Sequence, residues 1–164
     1  IIFDSPPKEI EEVAKKYSIF KGEIPLGLDA FISNICKQID SFEFLSFDYG
    51  DRHPRGEMSI RIYKDHKTYP LFEDGLDLKE LYKQSDITYD VIFQIVSDIF
   101  VQYGAREIFF KRQNSTLIDF GIIEILEKIK TIDNNGYLRE ANKVKTLLHP
   151  NFLGERFKAI SLFK

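Results

Sequence analysis

Between Asp48 and Lys67 the stretch DYGDRHPRGEMSIRIYKDHK gathers His53 and His66, Arg52, Arg55 and Arg61, and Asp48, Asp51, Glu57 and Asp65. These side chains suit metal-independent cleavage of RNA. That chemistry needs a base for the 2′-hydroxyl proton, an acid for the leaving oxygen and a cation facing the charge that develops on the phosphoryl group. Glu57 or His53 as base, His66 as acid and Arg61 as cation fill those roles. From Glu57 to Lys64 apolar Met58, Ile60 and Ile62 alternate with Glu57, Ser59, Arg61 and Tyr63, the period of a half-buried strand. Such a strand covers about 25 Å at ~3.3 Å per residue, so His53 and His66 meet only if the chain folds back. The plain alternative is a strand with a wet outer face between two charged turns.

Other chemistries find less support. Asp48, Asp51, His53 and His66 have metal-ligand types but lie scattered over loops, and no metal is expected. Cys36 is the only cysteine, which excludes an internal disulfide and a zinc site of paired cysteines. It falls beside an apolar helical stripe and reads as a packing residue. The sequence contains no GxGxxG, GxxxxGK[ST] or GxSxG motif, and no Glu-x-Lys pair on a strand. No cofactor is expected, and the reading leans away from an enzyme.

The elements that would position these residues follow from periodicity and punctuation. Ser5-Pro6-Pro7 predicts a helix start with Ser5 as N-cap, and Ile10, Val13, Ala14 and Tyr17 carry the helix over residues 6–18. Leu28, Phe31, Ile32, Ile35 and Ile39 form a second stripe. Phe42–Phe47 predicts a strand pairing antiparallel with Glu57–Lys64 across a loop marked by Gly50, Pro54 and Gly56. A turn at Lys64–Lys67 returns Thr68–Phe72 as a third, short strand, with Pro70 near an edge. Leu76–Tyr82 is a short helix. Asp86 caps a long apolar helix over residues 87–103 that ends at Gly104 and forms the buried centre. Glu107–Lys111 is a brief strand, and Thr116 to Ile129 is helical. Asp133–Gly136 is a turn, Tyr137–Leu148 a helix closed by His149-Pro150, and Phe157, Ile160 and Phe163 mark a last helical piece. The expected fold is α+β: a single domain over residues 1–164, with a small, mostly antiparallel sheet packed against several helices and a helical C-terminal part.

Composition bounds the function. A domain of 164 residues buries roughly 70% of the surface its unfolded chain exposes, enough to need no staple. The core must be aromatic, since the chain has 15 Phe and 8 Tyr but no Trp. With no long apolar run and no signal-peptide pattern, a cytoplasmic home without membrane contact is expected; the first residue is Ile, so the natural chain is expected to begin upstream. The net charge of -3 argues against a dedicated nucleic-acid binder. Arg139 to Lys164 runs the other way, with six Lys or Arg against two Glu, and could face RNA with Phe152 and Phe157 as stacking partners. Solvated lysines on a helix pair are the plain reading.

Acidic residues crowd two regions: Glu9 and Glu12 on the first helix, and Glu73, Asp74, Asp77, Glu80 and Asp86 ahead of the central one. They suit a basic protein partner. By elimination, the favoured expectation is a bacterial immunity or antitoxin-like protein that blocks a toxin, a nuclease by preference, by steric and electrostatic occlusion. The alternatives are the RNA-processing enzyme of His53, Glu57, Arg61 and His66, and a scaffold subunit exposing Phe42, Phe44 and Phe109.

Overall fold

The last strand in the sequence is the centre of the main sheet. A computed structural model describes residues 5–73 and 75–164. Along them run α1 (Lys8–Lys16), α2 (Leu28–Gln38), β1 (Glu43–Asp51), β2 (Arg61–Lys64), β3 (Lys67–Pro70), α3 (Leu78–Leu81), β4 (Asp86–Thr88) and β5 (Val91–Ile92). There follow α4 (Phe93–Gln102), β6 (Arg106–Arg112), α5 (Gln113–Asp119), α6 (Ile122–Ile132) and α7 (Asn134–Leu148), an irregular turn over Pro150–Gly154, and β7 (Phe157–Phe163). The main sheet has the order β5-β1-β7-β6, and a smaller one the order β3-β2-β4. β7 runs antiparallel to both β1 and β6, so those two run the same way, and β5 joins β1 in parallel. The α+β class holds.

The C-terminal segment is a strand, not the expected helix. Phe157, Ile160 and Phe163 have helical spacing by coincidence, because Ala159, Ile160, Ser161 and Leu162 are all fully buried. A central strand buried on both faces shows no alternation, so period alone misassigns it.

The expected hairpin also fails. β1 pairs with β7 from Glu43↔Phe163 to Tyr49↔Phe157, while β2 pairs with β3 and β4 in the other sheet. Residues 57–60 alternate in sequence without forming a strand, since the Glu23 carboxylate takes the Ser59 and Ile60 N–H groups at 2.6 and 2.7 Å. The β2–β3 hairpin is as expected, with β3 and its Pro70 at the sheet edge.

Four further boundaries move. Asp86 opens β4, with Ile87 opposite Ile62, instead of capping a helix. The β-branched pairs Ile87-Thr88 and Val91-Ile92 favour extended backbone, and α4 starts only at Phe93. Asp133 is a helix N-cap, not the start of a turn: its Oδ1 accepts from the Asn135 N–H at 3.0 Å, and Gly136 lies inside α7. Gly121, at φ 81°, divides the expected helix from Thr116 to Ile129 into α5 and α6. The N-cap of α1 is Pro7, with no side-chain cap, rather than Ser5.

Helices α2 and α4 cover one face of the main sheet. Ile32 and Cys36 from α2 and Phe93, Val96 and Phe100 from α4 pack against Ile160 and Leu162 of β7. Cys36 is buried, as its place beside an apolar stripe implied. Phe42 and Phe44 are half-buried against Phe100, with ring centroids 6.2 and 4.7 Å away, and Phe109 lies 6.2 Å from Phe120. Phe100 has no exposed surface. Replacing it with Ala should cost about 3–5 kcal/mol of stability, read from the urea midpoint, because Phe42 and Phe44 both lose their support.

Candidate functional site

At the carboxyl end of β1 the chain leaves the sheet through Gly50-Asp51-Arg52-His53. Open sheets with parallel strands bind ligands beyond such ends. Gly50 is needed there. It sits at φ 147°, and any Cβ would overlap the Val91 backbone of β5. This close approach brings the chain before α4 against the quoted stretch.

Arg52 is held on three sides. Its NH1 group donates to both oxygens of Glu107 at 2.8 and 2.7 Å, and its Nε donates to Gln94 Oε1 at 2.7 Å. The Ser97 hydroxyl donates to the same Glu107 at 2.5 Å, and Gln94 Nε2 donates to Asp98 at 2.6 Å. The guanidinium also lies 5.4 Å from the centre of the Phe110 ring. The network therefore ties the end of β1 to α4 and β6.

A second knot surrounds Asp90. Arg61 donates to its Oδ1 at 2.6 Å and Arg55 to its Oδ2 at 3.0 Å, while its own N–H donates to Ser59 Oγ at 2.8 Å. Beside it an apolar cavity of about 160 Å³ has walls of Leu28, Phe31, Phe44 and Phe93, with Glu23 and Asp90 also among its lining. An open cavity of about 510 Å³ lies nearby, with His53, Lys16, Tyr17, Gln94 and Asp98 among its lining. Burial pushes the Tyr17 phenol above its ordinary value, and a hydrogen bond to Tyr17 raises the Lys16 ammonium.

His53 and Glu57 line one recess with Asp90, to which Arg61 is bonded. His66 stands apart. It is exposed in the β2–β3 turn at φ 61°, beyond the far end of β2 from Arg61. The four residues therefore do not form one ribonuclease centre. Among the described residues no cluster of three or more His, Cys, Asp or Glu is placed to hold a metal.

The acidic candidates lie in two groups. Glu73, Asp77, Glu80 and Asp86 are exposed around α3 and β4, where Asp77 caps α3 by accepting from the Lys79 N–H at 2.8 Å. Asp74 lies outside the described residues. Glu9 and Glu12 are exposed on α1, and Glu12 sits 3.7 Å from Lys8. The basic C-terminal residues are spread out: Arg139 and Lys143 contact Glu140, Lys164 donates to the Cys36 carbonyl, and Arg156 lies over Tyr49. Phe157 is itself packed on Tyr49 at 4.0 Å.

Glu23, Asp90, Gln94 and Glu107 were not foreseen as site residues. Each meets the quoted stretch only through long-range folding. Glu107 is 55 positions from Arg52, and no local pattern links them.

No protein-family model and no curated protein matches the chain. Two solved structures from Burkholderia thailandensis share the fold. One is an uncharacterized ACR, COG1565 superfamily protein, with TM-score 0.81 and 23% identity over 100% of this chain and 45% of that one. The other is a COG1565 superfamily member and likely methyl transferase bound to S-adenosyl-homocysteine, with TM-score 0.80 and 23% identity over 100% of this chain and 44% of that one. The chain thus spans less than half the length of the structures it matches. The likeness overturns the expected immunity or antitoxin-like inhibitor, since proteins built on this fold include a likely methyl transferase. Elimination had favoured the inhibitor only for want of a catalytic motif.

Asp90 is the acceptor on which Arg55 and Arg61 converge. Replacing it with Ala should cost about 1–3 kcal/mol in chemical denaturation, the usual loss for charge-assisted hydrogen bonds. Tyr17 gives a pH-dependent signature. Its phenol holds its proton more tightly folded than unfolded, so its share of stability is present below the ordinary tyrosine value and lost as pH rises through the folded one. Absorbance titration near 295 nm should show Tyr17→Phe removing a late-ionising phenol, and the variant should lose less stability above pH ~10 than the parent.

Proposed function

We propose that this chain is part of an S-adenosylmethionine-dependent methyltransferase of the cytoplasm and forms the acceptor side of its cleft. The observation that carries the reading is the likeness over the chain's whole length to a likely methyl transferase bound to S-adenosyl-homocysteine. The rigid polar end of β1 supports it, because a group that receives a methyl must be held in line and kept from water.

The residues present do not by themselves fit the cofactor. The apolar cavity of about 160 Å³ falls short of the roughly 300–1,000 Å³ of small-molecule sites. Glu23 and Asp90 could face ribose hydroxyls in type, but their carboxylates are already bonded to Ser59, Ile60, Arg55 and Arg61. The sequence also lacks a GxGxxG turn.

The 510 Å³ cavity suits an acceptor bearing an N–H or O–H group. Asp98 can accept a hydrogen bond from it, and the exposed His53 imidazole can take the proton it must lose. Gln94, which lines the same cavity, is held by Arg52 and Asp98.

The test is S-adenosyl-homocysteine binding by calorimetry, with transfer of a labelled methyl group to cell extract, using the protein as its own gene encodes it. Saturable binding and label transfer are expected. His53→Ala should lower the transfer rate by about 10²–10⁴-fold while leaving S-adenosyl-homocysteine affinity unchanged. Absence of any binding would overturn the proposal.

A further inference from the structure

Gln94 stands between a side chain that can only donate and one that, when ionised, can only accept. Its Oε1 accepts from Arg52 Nε at 2.7 Å, and its Nε2 donates to Asp98 Oδ1 at 2.6 Å. A guanidinium has no acceptor and a carboxylate no donor, so the Gln94 amide cannot turn over without setting like against like at both ends. Arg52 is itself fixed. Its NH1 group is bonded to both oxygens of Glu107, and the buried Ser97 hydroxyl holds the same Glu107 at 2.5 Å. The polarity of this chain is therefore set on β6 and delivered on α4.

Gln94 and Asp98 lie one turn of α4 apart, and both line the 510 Å³ cavity beside His53. Gln94 occupies Oδ1 of Asp98. Oδ2 is left to the cavity, where the Tyr17 phenol is its neighbour, and Lys16, the ammonium in this lining, is engaged by that phenol. An ionised carboxylate offers about four lone-pair sites, so room remains for a donor brought by a ligand. A ligand presenting lone pairs alone would leave Asp98 unpaired and facing like polarity, which is how a polar site rejects an analogue that lacks one hydrogen.

We propose that Gln94, locked by Arg52, is a positioning residue that makes Asp98 a fixed hydrogen-bond acceptor, so that the cavity selects ligands carrying an N–H or O–H group. The inference rests on the methyltransferase reading for the identity of that ligand as the methyl acceptor. The same selection distinguishes an acceptor from its product, because an acceptor whose last hydrogen has been replaced by methyl has nothing left to give Asp98.

The test uses phenol and its methyl ether anisole, two probes of similar shape that differ in the hydroxyl hydrogen. Each is titrated into the protein as its own gene encodes it and followed through the NMR shifts of Gln94, Asp98 and His53. Phenol should bind the parent at least ~10-fold more tightly than anisole, the scale of a hydrogen bond to a charged group. Equal affinities, or shifts confined to other parts of the molecule, would overturn the proposal. Asp98→Asn should erase the preference, because the new side-chain oxygen faces Gln94 and the new amide N–H₂ turns to the cavity. Adding Gln94→Glu reverses the chain: the carboxylate at position 94 accepts from Arg52 and from the amide at position 98, and a carbonyl oxygen faces the cavity again. The double variant should regain a preference for phenol of at least ~3-fold, as expected of a neutral hydrogen bond. A double variant no more selective than Asp98→Asn alone would show that Gln94 does not set the direction, and the proposal would fall. Selectivity in the parent and the double variant, without methyl transfer by the parent to cell extract, would keep the roles of Gln94 and Asp98 and sink only the methyltransferase reading.

Discussion

Everything at the site depends on β7 lying between β1 and β6. The two outer strands run in the same direction, and antiparallel pairing to one central strand brings their carboxyl ends to the same side of the sheet. Because β7 follows both β1 and β6 in the sequence, this geometry closes only once β7 pairs between them. Ala159 and Ser161 are small enough to let Phe47 and Phe109 sit beside them on one face, while Ile160 and Leu162 anchor α2 and α4 on the other. Long-range strand pairing of this kind carries a large loop-closure cost before it is repaid.

The sheet places the polar network, and the network then stiffens the sheet. Arg52 follows the carboxyl end of β1 and Glu107 stands near the start of β6, so their bidentate contact joins two strands that never pair with each other. Their side chains keep 28% and 25% exposure. At that depth desolvation and attraction largely offset, and the contribution to stability is modest. What the pair adds is direction. With Gln94 and Ser97 also bonded, neither Arg52 nor Glu107 can swing without breaking several contacts, which fixes the backbone that presents His53.

Local physics was legible in the sequence wherever a signal stayed within one element. The apolar stripe of α2, the hairpin around Asp65-His66, the end of α4 at Gly104 and the burial of Cys36 all follow from short-range spacing. Pairing partners were not legible, because nothing near Phe42 points to Phe157–Phe163. The structure does bring His53 and Glu57 of the quoted stretch into one recess with Asp90, to which Arg61 is bonded. The stretch misled about His66, since a strand interposes between them, and it concealed Arg52, whose importance appears only with Glu107 in place.

The error about function has a physical root as well. Absence of a phosphate-cradling glycine turn is weak evidence against nucleotide chemistry, because helix N-termini and backbone nests can hold anions without it. The acidic residues read as a partner surface have local work to do: Asp77 caps α3 and Glu12 faces Lys8. Charge that is already paired or capping steers an incoming protein weakly, whereas a chain of hydrogen bonds such as that from Arg52 through Gln94 to Asp98 is specific in direction and polarity. The directional feature therefore says more about what this fold meets than its net charge does.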